Sequence, residues 1–402
     1  MNLLFLGSIY KNSDENKLIE ENPGGIGIAS NTLQVNLLNA LNLYDVNTEV
    51  ISSLPVGNFP NLSRSFLYNK KKYLLFDKIP VNQLLTVNTY LIKHFIREKV
   101  AKKIVKNWIR KNSKDSVIMI YDLYMPYLNL IPFIKECNPN IPIVIFIPDL
   151  IGKLRNDTGN SKLINLFLKS RENKCLDLVN FADAYIFVSD LMKEQVNVSV
   201  KPYITIHGIV NDQLQQKEIG NIKNKLIFLY SGLLSKQYNV DKLVDYFIHD
   251  NSNTNELWIC GSGELSDYIK YTAVNNPNIR YFGLVSKKQA NDLELMADVC
   301  VNPRPNRGIY TRYSFPSKNL EYLNKGKSVI CYKLPPFKDT FDNCFSYITN
   351  EMSLENWIDY NAKISTEELH NIGSSNRSFV QKTFGIDSQG NRILAFLNNL
   401  IY

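Results

Sequence analysis

Several features that mark particular protein classes are missing from this sequence. No apolar run reaches about 18 residues, so no segment is long enough to cross a bilayer as a helix. The opening MNLLFLGSIY is too short and too poor in charge for a signal peptide. There is no DxD or HExxH motif, and the four histidines are not spaced like metal ligands. The six cysteines include no CxxC pair, so we expect reduced thiols in a cytosolic protein that uses no metal.

The composition is that of an ordinary soluble protein. Of the 402 residues, 45% are hydrophobic and 21% are charged, and this length is enough for two domains, or three, each with its own core. The net charge of +8 is lower than is usual for a dedicated nucleic-acid binder. It suits a protein that meets phosphates or an anionic surface.

Short apolar runs alternate with helical patterns along the first half of the chain. NLLFLGS at 2–8 predicts a buried strand that leads through ENPGGIGIAS into a helix. Four further runs predict strands: NTEVISS, SVIMIYD, IPIVIFIPD and DAYIFVSD. Runs that are apolar throughout and separated by helices are typical of a parallel sheet covered on both faces.

The same pattern restarts in the second half. KLIFLYSGLL at 225–234 again combines a strand, a glycine and a helix, and ELWICGSGE, NIRYFGLV, ADVCVNPR and KSVICYK follow it. We predict an α/β protein with two doubly wound, Rossmann-like domains that face a central cleft, with ligands at the carboxyl ends of the strands. The predicted parts are a domain at 1–210, a polar linker at 211–224, a domain at 225–384, and a terminal helix at 385–402 whose docking partner is left open.

The stretch YSFPSKNLEYLNKGKSVICY at 313–332 carries the sharpest chemical signal. A helix that begins near Ser317 places Glu321 one turn later on the same face. The free N–H groups and positive end of such a helix suit a phosphate, and Lys318 adds a full charge there. Glu321, about 5 Å further along the axis, can accept hydrogen bonds from both hydroxyls of a ribose. The stretch therefore indicates a nucleotide-diphosphate site, and a capped helix with an exposed glutamate is the alternative.

Residues 226–335 resemble the donor-binding half of glycosyltransferase family 4, which has the GT-B fold. Phe315 and Glu321 match the phenylalanine and the second acid of its E-x-F-G-x-x-x-x-E motif, and Gly326 and Val329 match the G-x-P-V that follows. The segments FGLV, LMADVCVNP and ICGSGE are similar to the family's F-x-G-x-V, A-D-V-x-V-x-P and G-x-G segments.

The resemblance implies a donor site that holds the ribose, the phosphates and the base of a nucleotide. The expected residues are Glu321 for the ribose hydroxyls, Ser317 and Lys318 for the distal phosphate, and Leu284 and Val285 for the base. Three glycines at strand ends would approach the donor closely: Gly232, Gly261 and Gly263. A buried turn is the alternative for the glycine pair of ICGSGE.

Four positions depart from the family's pattern, and one of them is Pro316, which stands where the family has glycine. The arginine and lysine of its G-R-L-x-x-x-K-G clamp are replaced by Leu233 and Tyr238, and its first acid by Tyr313, which we still assign to the donor site. The loop NPRPNRGIYTRYSFPSK can supply the missing charge, because arginine forms strong charge-assisted hydrogen bonds with phosphate. A solvated basic loop is the alternative. The candidate cations are Lys236, Arg304, Arg307, Arg312 and Lys318.

Two features of the first half point to the same kind of sheet edge. Gly25 lies in NPGGIGIAS, directly after the first strand, where the resemblance implies a loop near donor and acceptor; a flexible loop is the alternative. Asp149 ends an apolar strand, so its carboxylate is the predicted catalytic or sugar-contacting group, with helix capping as the alternative. Asp122 follows another such strand.

The stretch LIKHFIREKVAKKIVKNWIRK at 91–111 predicts an amphipathic helix. Its apolar residues at helical spacing are Ile92, Phe95, Ile96, Val100, Ile104 and Trp108. The opposite face holds Lys99, Lys102, Lys103, Lys106 and Arg110. We expect the apolar side in the core, while the basic side suits the headgroups of an anionic membrane.

Together these features predict a glycosyltransferase that moves a sugar from a UDP- or GDP-sugar to a hydroxyl acceptor. The resemblance implies retention of configuration, and the nucleotide sugar is a co-substrate, with no further cofactor. The expected acceptor is a surface glycan on a lipid carrier, in bacterial polysaccharide or capsule synthesis, and no nucleic acid is involved. We expect a cytoplasmic protein with a peripheral contact on the inner face of the membrane. Two alternatives stay open: a non-catalytic partner subunit of a transferase, and a nucleotide-sugar epimerase of the GT-B type.

Overall fold

The structure is a computed structural model that describes residues 1–23, 25–150, 162–196, 201–211, 225–250, 254–337 and 339–401. Its strands in chain order are β1 Asn2–Gly7, β2 Asn47–Ser52, β3 Leu67–Tyr68, β4 Lys71–Leu75, β5 Ile79–Gln83, β6 Thr86–Val87, β7 Ser116–Tyr121, β8 Ile143–Ile147, β9 Ala184–Phe187, β10 Tyr203–Thr205, β11 Leu226–Ser231, β12 Asn255–Cys260, β13 Ile279–Tyr281, β14 Val299–Asn302, β15 Ser328–Tyr332 and β16 Ser346–Ile348.

The α-helices of the described residues follow the same alternation. They are α1 Glu15–Glu21, α2 Ile28–Asn42, α3 Tyr90–Lys111, α4 Met125–Leu128, α5 Leu130–Cys137, α6 Lys162–Val179, α7 Val240–His249, α8 Ser266–Asn275, α9 Lys287–Met296, α10 Tyr310–Tyr313, α11 Ser317–Asn324, α12 Leu354–Asn361, α13 Thr366–Phe384 and α14 Ile386–Asn398. The linker predicted at 211–224 lies, except for its first residue, outside the described residues.

Residue contacts divide the chain into two compact units. Unit 1 consists of Met1–Ile209, Arg312–Ser314 and Ile386–Tyr402. Unit 2 consists of Val210–Thr311 and Phe315–Gly385. The terminal helix α14 packs against α2 within unit 1, where Gly390 fits closely against the backbone carbonyl of Ala40.

Unit 1 is built on an eight-stranded sheet with the order β10-β9-β8-β7-β1-β2-β5-β4. Every pairing in it is parallel except that of β4 with β5 at one edge. Strands β7 and β8 are buried along their whole length, as expected of apolar runs with helices on both faces. Strand β2 lies on one side of β1, and β7, which comes later in the chain, lies on the other side. The direction in which strands are added to the sheet therefore reverses beside β1, and sheets of this kind bind ligands at such a reversal.

Unit 2 is built on a six-stranded sheet with the order β13-β12-β11-β14-β15-β16, and all its pairings are parallel. Its first strand again lies in the interior of the sheet, with later strands on both sides. The sequence pattern therefore predicted the fold class correctly, since both units are α/β with largely parallel sheets.

Helix α11 is fixed in unit 2 by two very close approaches. The Tyr322 hydroxyl is fully buried and accepts a 2.9 Å hydrogen bond from the backbone N–H of Ser231, at the end of β11. A Cβ atom on Gly373, inside α13, would lie 1.9 Å from the carbonyl oxygen of Gly326, just after α11. Only glycine at 373 allows α13 to pack this closely against the end of α11.

The orientation of α3 differs from the sequence prediction. Ile92 and Phe95, predicted in the core, are 50% and 67% exposed. Lys93 and Arg97 face inward instead and are 6% and 3% exposed. The physical reason is that both cations donate to oxygen atoms beneath the helix, so the first turns rotate the apolar pair outward. From Ala101 onward the buried residues are apolar, and the predicted basic side is exposed.

Candidate functional site

The helix start predicted from the sequence is present in unit 2. Helix α11 begins at Ser317 after Pro316, whose backbone is extended. Because Pro316 occupies the cap position, its ring costs the helix no hydrogen bond. Ser317 is exposed, Lys318 is partly buried, and Glu321 lies one turn further along. The first N–H groups of a helix have no partner within it, so they are available to an anion.

Glu321 lies between two lysines. Its carboxylate is 2.8 Å from Lys318 Nζ on the same helix and 3.1 Å from Lys287 Nζ at the start of α9. A second carboxylate, that of Glu294, lies beneath them and is fully buried. Glu294 accepts from Lys318 at 2.9 Å and also forms an ion pair with Lys325, at the end of α11. We call these five residues the ion network.

The ion network joins α9 to α11. Lys287 and Glu294 are seven residues apart on α9, two turns, and therefore share one face of that helix. Lys318, Glu321 and Lys325 are spaced by three and four residues along α11 and share the facing side. Three lysines against two glutamates leave one net positive charge next to the helix start.

The pKa values of the ion network follow from burial and from these pairings. For Glu321 and Glu294, burial raises the pKa, but the neighbouring lysines outweigh it and the pKa of each carboxyl is lowered. For Lys318, burial lowers the pKa, but the two carboxylates outweigh it and the pKa is raised. For Lys287 burial dominates, and the pKa is lowered. Glu294, Glu321 and Lys318 are therefore held in their charged forms at neutral pH.

Three loops that follow neighbouring strands of unit 2 are joined by backbone hydrogen bonds. Gly232 N–H donates to the carbonyl of Cys260 at 3.0 Å, and Gly261 N–H donates to the carbonyl of Gly283 at 2.8 Å. A Cβ on Gly261 would lie 1.8 Å from the Gly232 oxygen, and one on Gly263 would lie 2.3 Å from the Leu234 oxygen. The loops pack backbone to backbone, which accounts for glycine at 261 and 263 without a ligand.

The loop predicted to hold the base lies directly before the ion network. Leu284 is exposed and Val285 is partly buried, between the end of β13 and Lys287. Because Lys287 contacts Glu321, the structure brings the predicted base loop, the ribose acid and the phosphate helix to one edge of the sheet. These are the carboxyl ends of the strands, where ligands of such sheets bind.

Arg304 follows β14 and is held by two aromatic rings. Its guanidinium lies 5.2 Å from the ring centre of Tyr238 and 5.0 Å from that of Tyr310. Tyr238 is one of the two residues that replace the expected clamp cations, so a guanidinium stacks where the sequence departs from the pattern. Burial raises the pKa of Tyr230, and the charges of Arg304 and Lys318 both act to lower it.

The remaining predicted residues belong to unit 1. The Tyr313 hydroxyl accepts from Gln195 at 2.9 Å and donates to Glu194 at 3.3 Å. Gly25 is exposed in the loop before α2 with a φ of 89°. Asp149 is exposed after β8. Their assignment to donor or acceptor stays a prediction.

The described residues contain neither a candidate membrane-spanning helix nor a cluster of candidate metal ligands. Within the described ranges, no helix combines the length and the apolar character needed to span a bilayer. Nor do three or more histidine, cysteine, aspartate or glutamate side chains in those ranges converge as metal ligands would.

Sequence reasoning missed Lys287 and Glu294. In the sequence, SKKQANDLELMADV shows only a polar helix start, followed by an acid at a position where the helical spacing predicts an apolar residue. The signal that could have found Glu294 is its place between Leu293 and Leu295, in a turn that otherwise faces the core. A charge there needs a buried partner, and only the fold supplies Lys318 and Lys325.

Replacing Glu294 by glutamine is expected to destabilise unit 2 by about 3–5 kcal/mol, because it leaves buried lysine charge uncompensated. Urea unfolding of the full chain, followed by tryptophan fluorescence, measures this change. Asp342→Asn is the matched control, since the pair of Asp342 with Lys333 is exposed and worth at most about 1 kcal/mol. If both variants lose the same small amount of unfolding free energy, the ion network does not stabilise the fold.

Comparisons with known proteins agree with this geometry. Residues 211–378 match the family described as glycosyl transferases group 1. No curated protein matches the sequence. Among solved structures, sucrose-phosphate synthase from Thermosynechococcus elongatus is similar over 100% of this chain and 99% of its own, with 13% identity and a TM-score of 0.68.

Two further solved structures share the fold. HepE from Anabaena, crystallised with UDP, covers 99% of this chain and 100% of its own, at 12% identity and a TM-score of 0.62. The lipopolysaccharide outer core galactosyltransferase WaaB covers 99% of both chains, at 14% identity and a TM-score of 0.59. The predicted resemblance to family 4 glycosyltransferases is thereby confirmed. Residues 211–378 match the group 1 glycosyl transferases, and the chain has the GT-B fold that these solved structures share.

Proposed function

We propose that this protein is a glycosyltransferase that moves a sugar from a UDP- or GDP-sugar to a hydroxyl acceptor in surface polysaccharide synthesis, with retention of configuration and without a metal ion. The observation that carries the proposal is Glu321, an ionised and partly buried acid one turn inside α11, at the carboxyl edge of the unit 2 sheet. The bound UDP of HepE supports a nucleotide donor on this fold.

Glu321 has the capacity to bind a ribose while it contacts two lysines. A carboxylate offers about four lone-pair sites, and Lys287 and Lys318 occupy two of them. The two remaining sites match the vicinal hydroxyls of a ribose. Since the lysines hold Glu321 in its charged form, these hydrogen bonds would be charge-assisted and strong.

The diphosphate would lie against the start of α11. The backbone N–H groups at Ser317 and Lys318, the positive end of the helix and the net positive charge of the ion network all favour an anion there. Arg304 adds a guanidinium whose orientation is fixed by Tyr238 and Tyr310. Together these groups would stabilise the negative charge that develops on the leaving diphosphate, which needs no metal ion.

The sugar-contacting groups would come from the carboxyl edge of the unit 1 sheet. Asp149 follows β8 and Asp122 follows β7, on neighbouring strands. Either carboxylate can accept a hydrogen bond from a sugar hydroxyl, and we assign this role to Asp149. Gly25, in the loop before α2, leaves the backbone open to close approach at the same edge.

The exposed side of α3 would contact the anionic lipid headgroups on the inner face of the cell membrane. It carries Lys99, Lys103 and Lys106 in a row, preceded by the exposed Ile92 and Phe95. Apolar residues at one end and lysines along the rest suit a helix that lies at a lipid headgroup surface. A lipid-linked glycan acceptor would be met there.

Wild-type protein is expected to bind UDP, or GDP, at least about 10-fold more tightly than the corresponding 2′,3′-dideoxynucleotide, because a hydrogen bond to a charged group contributes about 1.5–3 kcal/mol. Glu321→Gln is expected to abolish this preference. Isothermal titration calorimetry of the full chain measures it, with the exposed Glu351→Gln as control. If Glu321→Gln retains the preference, the ribose does not bind at Glu321.

A panel of nucleotide sugars then separates the reaction types. Product analysis that shows sugar transfer, or slow hydrolysis to free sugar, supports a transferase. Conversion of the sugar to an epimer identifies the epimerase alternative. Nucleotide binding without any product identifies the non-catalytic partner subunit.

Tyr238→Leu is expected to weaken UDP binding by about 2- to 30-fold and uridine binding hardly at all, because loss of a cation–π contact worth about 0.5–2 kcal/mol releases the phosphate-binding guanidinium of Arg304. Tyr238→Phe keeps the ring and should bind UDP as the wild type does. Calorimetric titration of both ligands measures the difference. A parallel loss of uridine binding would mean that Tyr238 acts on the base or on folding.

Replacing Lys99, Lys103 and Lys106 by glutamate is expected to lower binding to phosphatidylglycerol vesicles by at least about 100-fold, since each lysine near an anionic surface contributes about 1 kcal/mol. Co-sedimentation with vesicles measures it. The matched control replaces three exposed lysines of unit 2 by glutamate: Lys242, Lys270 and Lys363. If both triple variants lose binding equally, only net charge matters and α3 is not the contact surface.

A further inference from the structure

Unit 1 buries two cations side by side. Lys93 and Arg97 are one turn apart on α3 and point inward. Lys93 Nζ donates to the carbonyl of Val56 at 3.0 Å. Arg97 donates to the carbonyl of Leu54 at 2.8 Å and, through Nε and a terminal nitrogen, to the hydroxyl of Thr86 at 3.1 and 2.9 Å. All these acceptors are neutral.

Within the part of the chain that the structure describes, no acid balances the charge of this pair. Among the described residues, no carboxylate lies within salt-bridge distance of Lys93 or Arg97, and the nearby Glu98 accepts from Asn129 instead. A buried ion without a charged partner costs several kcal/mol. Lys93 also lies in the first turn of α3, where the helix dipole repels a cation. Burial, and then the charge of Arg97, lower the pKa of Lys93 to about 8.

The pair lies at the edge of the sheet where ligands bind. Leu54 follows β2 and Tyr124 follows β7, while Thr86 begins the short strand β6 soon after the end of β5, so the segments that surround Arg97 all come just after the carboxyl ends of strands. Neutral side chains would be enough to hold these loops together. Two full charges at this edge instead suit an anionic ligand.

Two partly exposed side chains connect the cations to the surface. The Tyr124 hydroxyl accepts from Arg97 at 3.0 Å and lies 3.2 Å from Nδ1 of His94. The exposed Arg171 on α6 adds a third positive charge near His94. Burial, and then the charges of Lys93, Arg97 and Arg171, lower the pKa of His94 to about 4, so its ring is neutral at pH 7.

We propose that a phosphate group of the acceptor binds in unit 1 against Tyr124 and His94, with Lys93 and Arg97 directly behind them. The charge of a phosphate monoester, about −2, matches the two buried cations. The phosphate can belong to a lipid or to a soluble sugar phosphate, and the exposed Ile92 and Phe95 on the same helix favour the lipid. The inference rests on the proposed function only in assigning the phosphate to the acceptor.

Equilibrium dialysis with radiolabelled inorganic phosphate tests the subsite in the full chain, with saturating UDP so that the donor site is occupied. We expect saturable binding that weakens at least about 10-fold in Tyr124→Phe, in His94→Gln and in Lys93→Met. Tyr44→Phe is the matched control, because it removes another hydrogen-bonded tyrosine hydroxyl of unit 1. Thermal unfolding and UDP calorimetry of each variant show that the fold and the donor site are intact.

Absence of saturable phosphate binding while UDP still binds would overturn the subsite and leave the proposed function standing. Phosphate binding that none of the three variants weakens would also overturn it, since the ion would lie elsewhere. A second titration compares methyl phosphate with short-chain phosphatidic acid. If phosphatidic acid binds more tightly than methyl phosphate and Phe95→Ser removes this difference, the phosphate belongs to a lipid. If the two compounds bind equally, the phosphate belongs to a soluble acceptor.

Discussion

The carboxylate of Glu294 is the interaction on which the candidate donor site depends. It is fully buried and holds Lys318 and Lys325 from the facing helix, so it sets how α9 lies against α11. A hydrophobic contact would tolerate a small shift between these helices, whereas a buried ion pair loses much of its energy when its distances change. The carboxylate of Glu321 and the amine of Lys287 are therefore held at a defined separation, and the position of the acid proposed to bind the ribose follows from Glu294, which lies beneath it.

The two cationic features of the chain differ in how their charges are balanced. In unit 2 the lysines are paired with glutamates, and one positive charge remains beside a helix start. Among the described residues of unit 1, Lys93 and Arg97 donate to neutral oxygens, and Arg171 adds one further positive charge nearby. The lysine–glutamate network of unit 2 fixes the distances between its side chains. The two cations of unit 1, whose charges no acid of the described residues balances, create a positive electrostatic potential. One protein thus places two kinds of positive site at the carboxyl edges of two similar sheets.

Much of the fold could be predicted from sequence because buried parallel strands are short, apolar throughout and bounded by turn residues. NLLFLG, SVIMIY and LIFLYS show this pattern without ambiguity. The strands of 67–87 were missed, since KKYLL at an edge is exposed and IPVNQ carries a proline. The helix with Glu321 was found because proline, serine and an acid stand at fixed offsets. Glu294 was not found, because its charge becomes meaningful only when α11 supplies the partners. The first turns of α3 were assigned to the wrong face, because apolar periodicity outweighed two cations whose hydrogen-bond acceptors lie 11 to 43 residues away in sequence.

The division of the chain into units has a consequence for how the protein is made. Apart from residues 312–314, unit 1 draws on residues 1–209 and again on 386–402, and α14 packs against α2. During synthesis at about 5–20 residues per second, roughly 10–35 seconds separate the two contributions. Unit 2 leaves the ribosome in this interval, so the unit that begins first is completed last. Until α14 arrives, the surface of α2 that receives Gly390 stays open to solvent or to a chaperone.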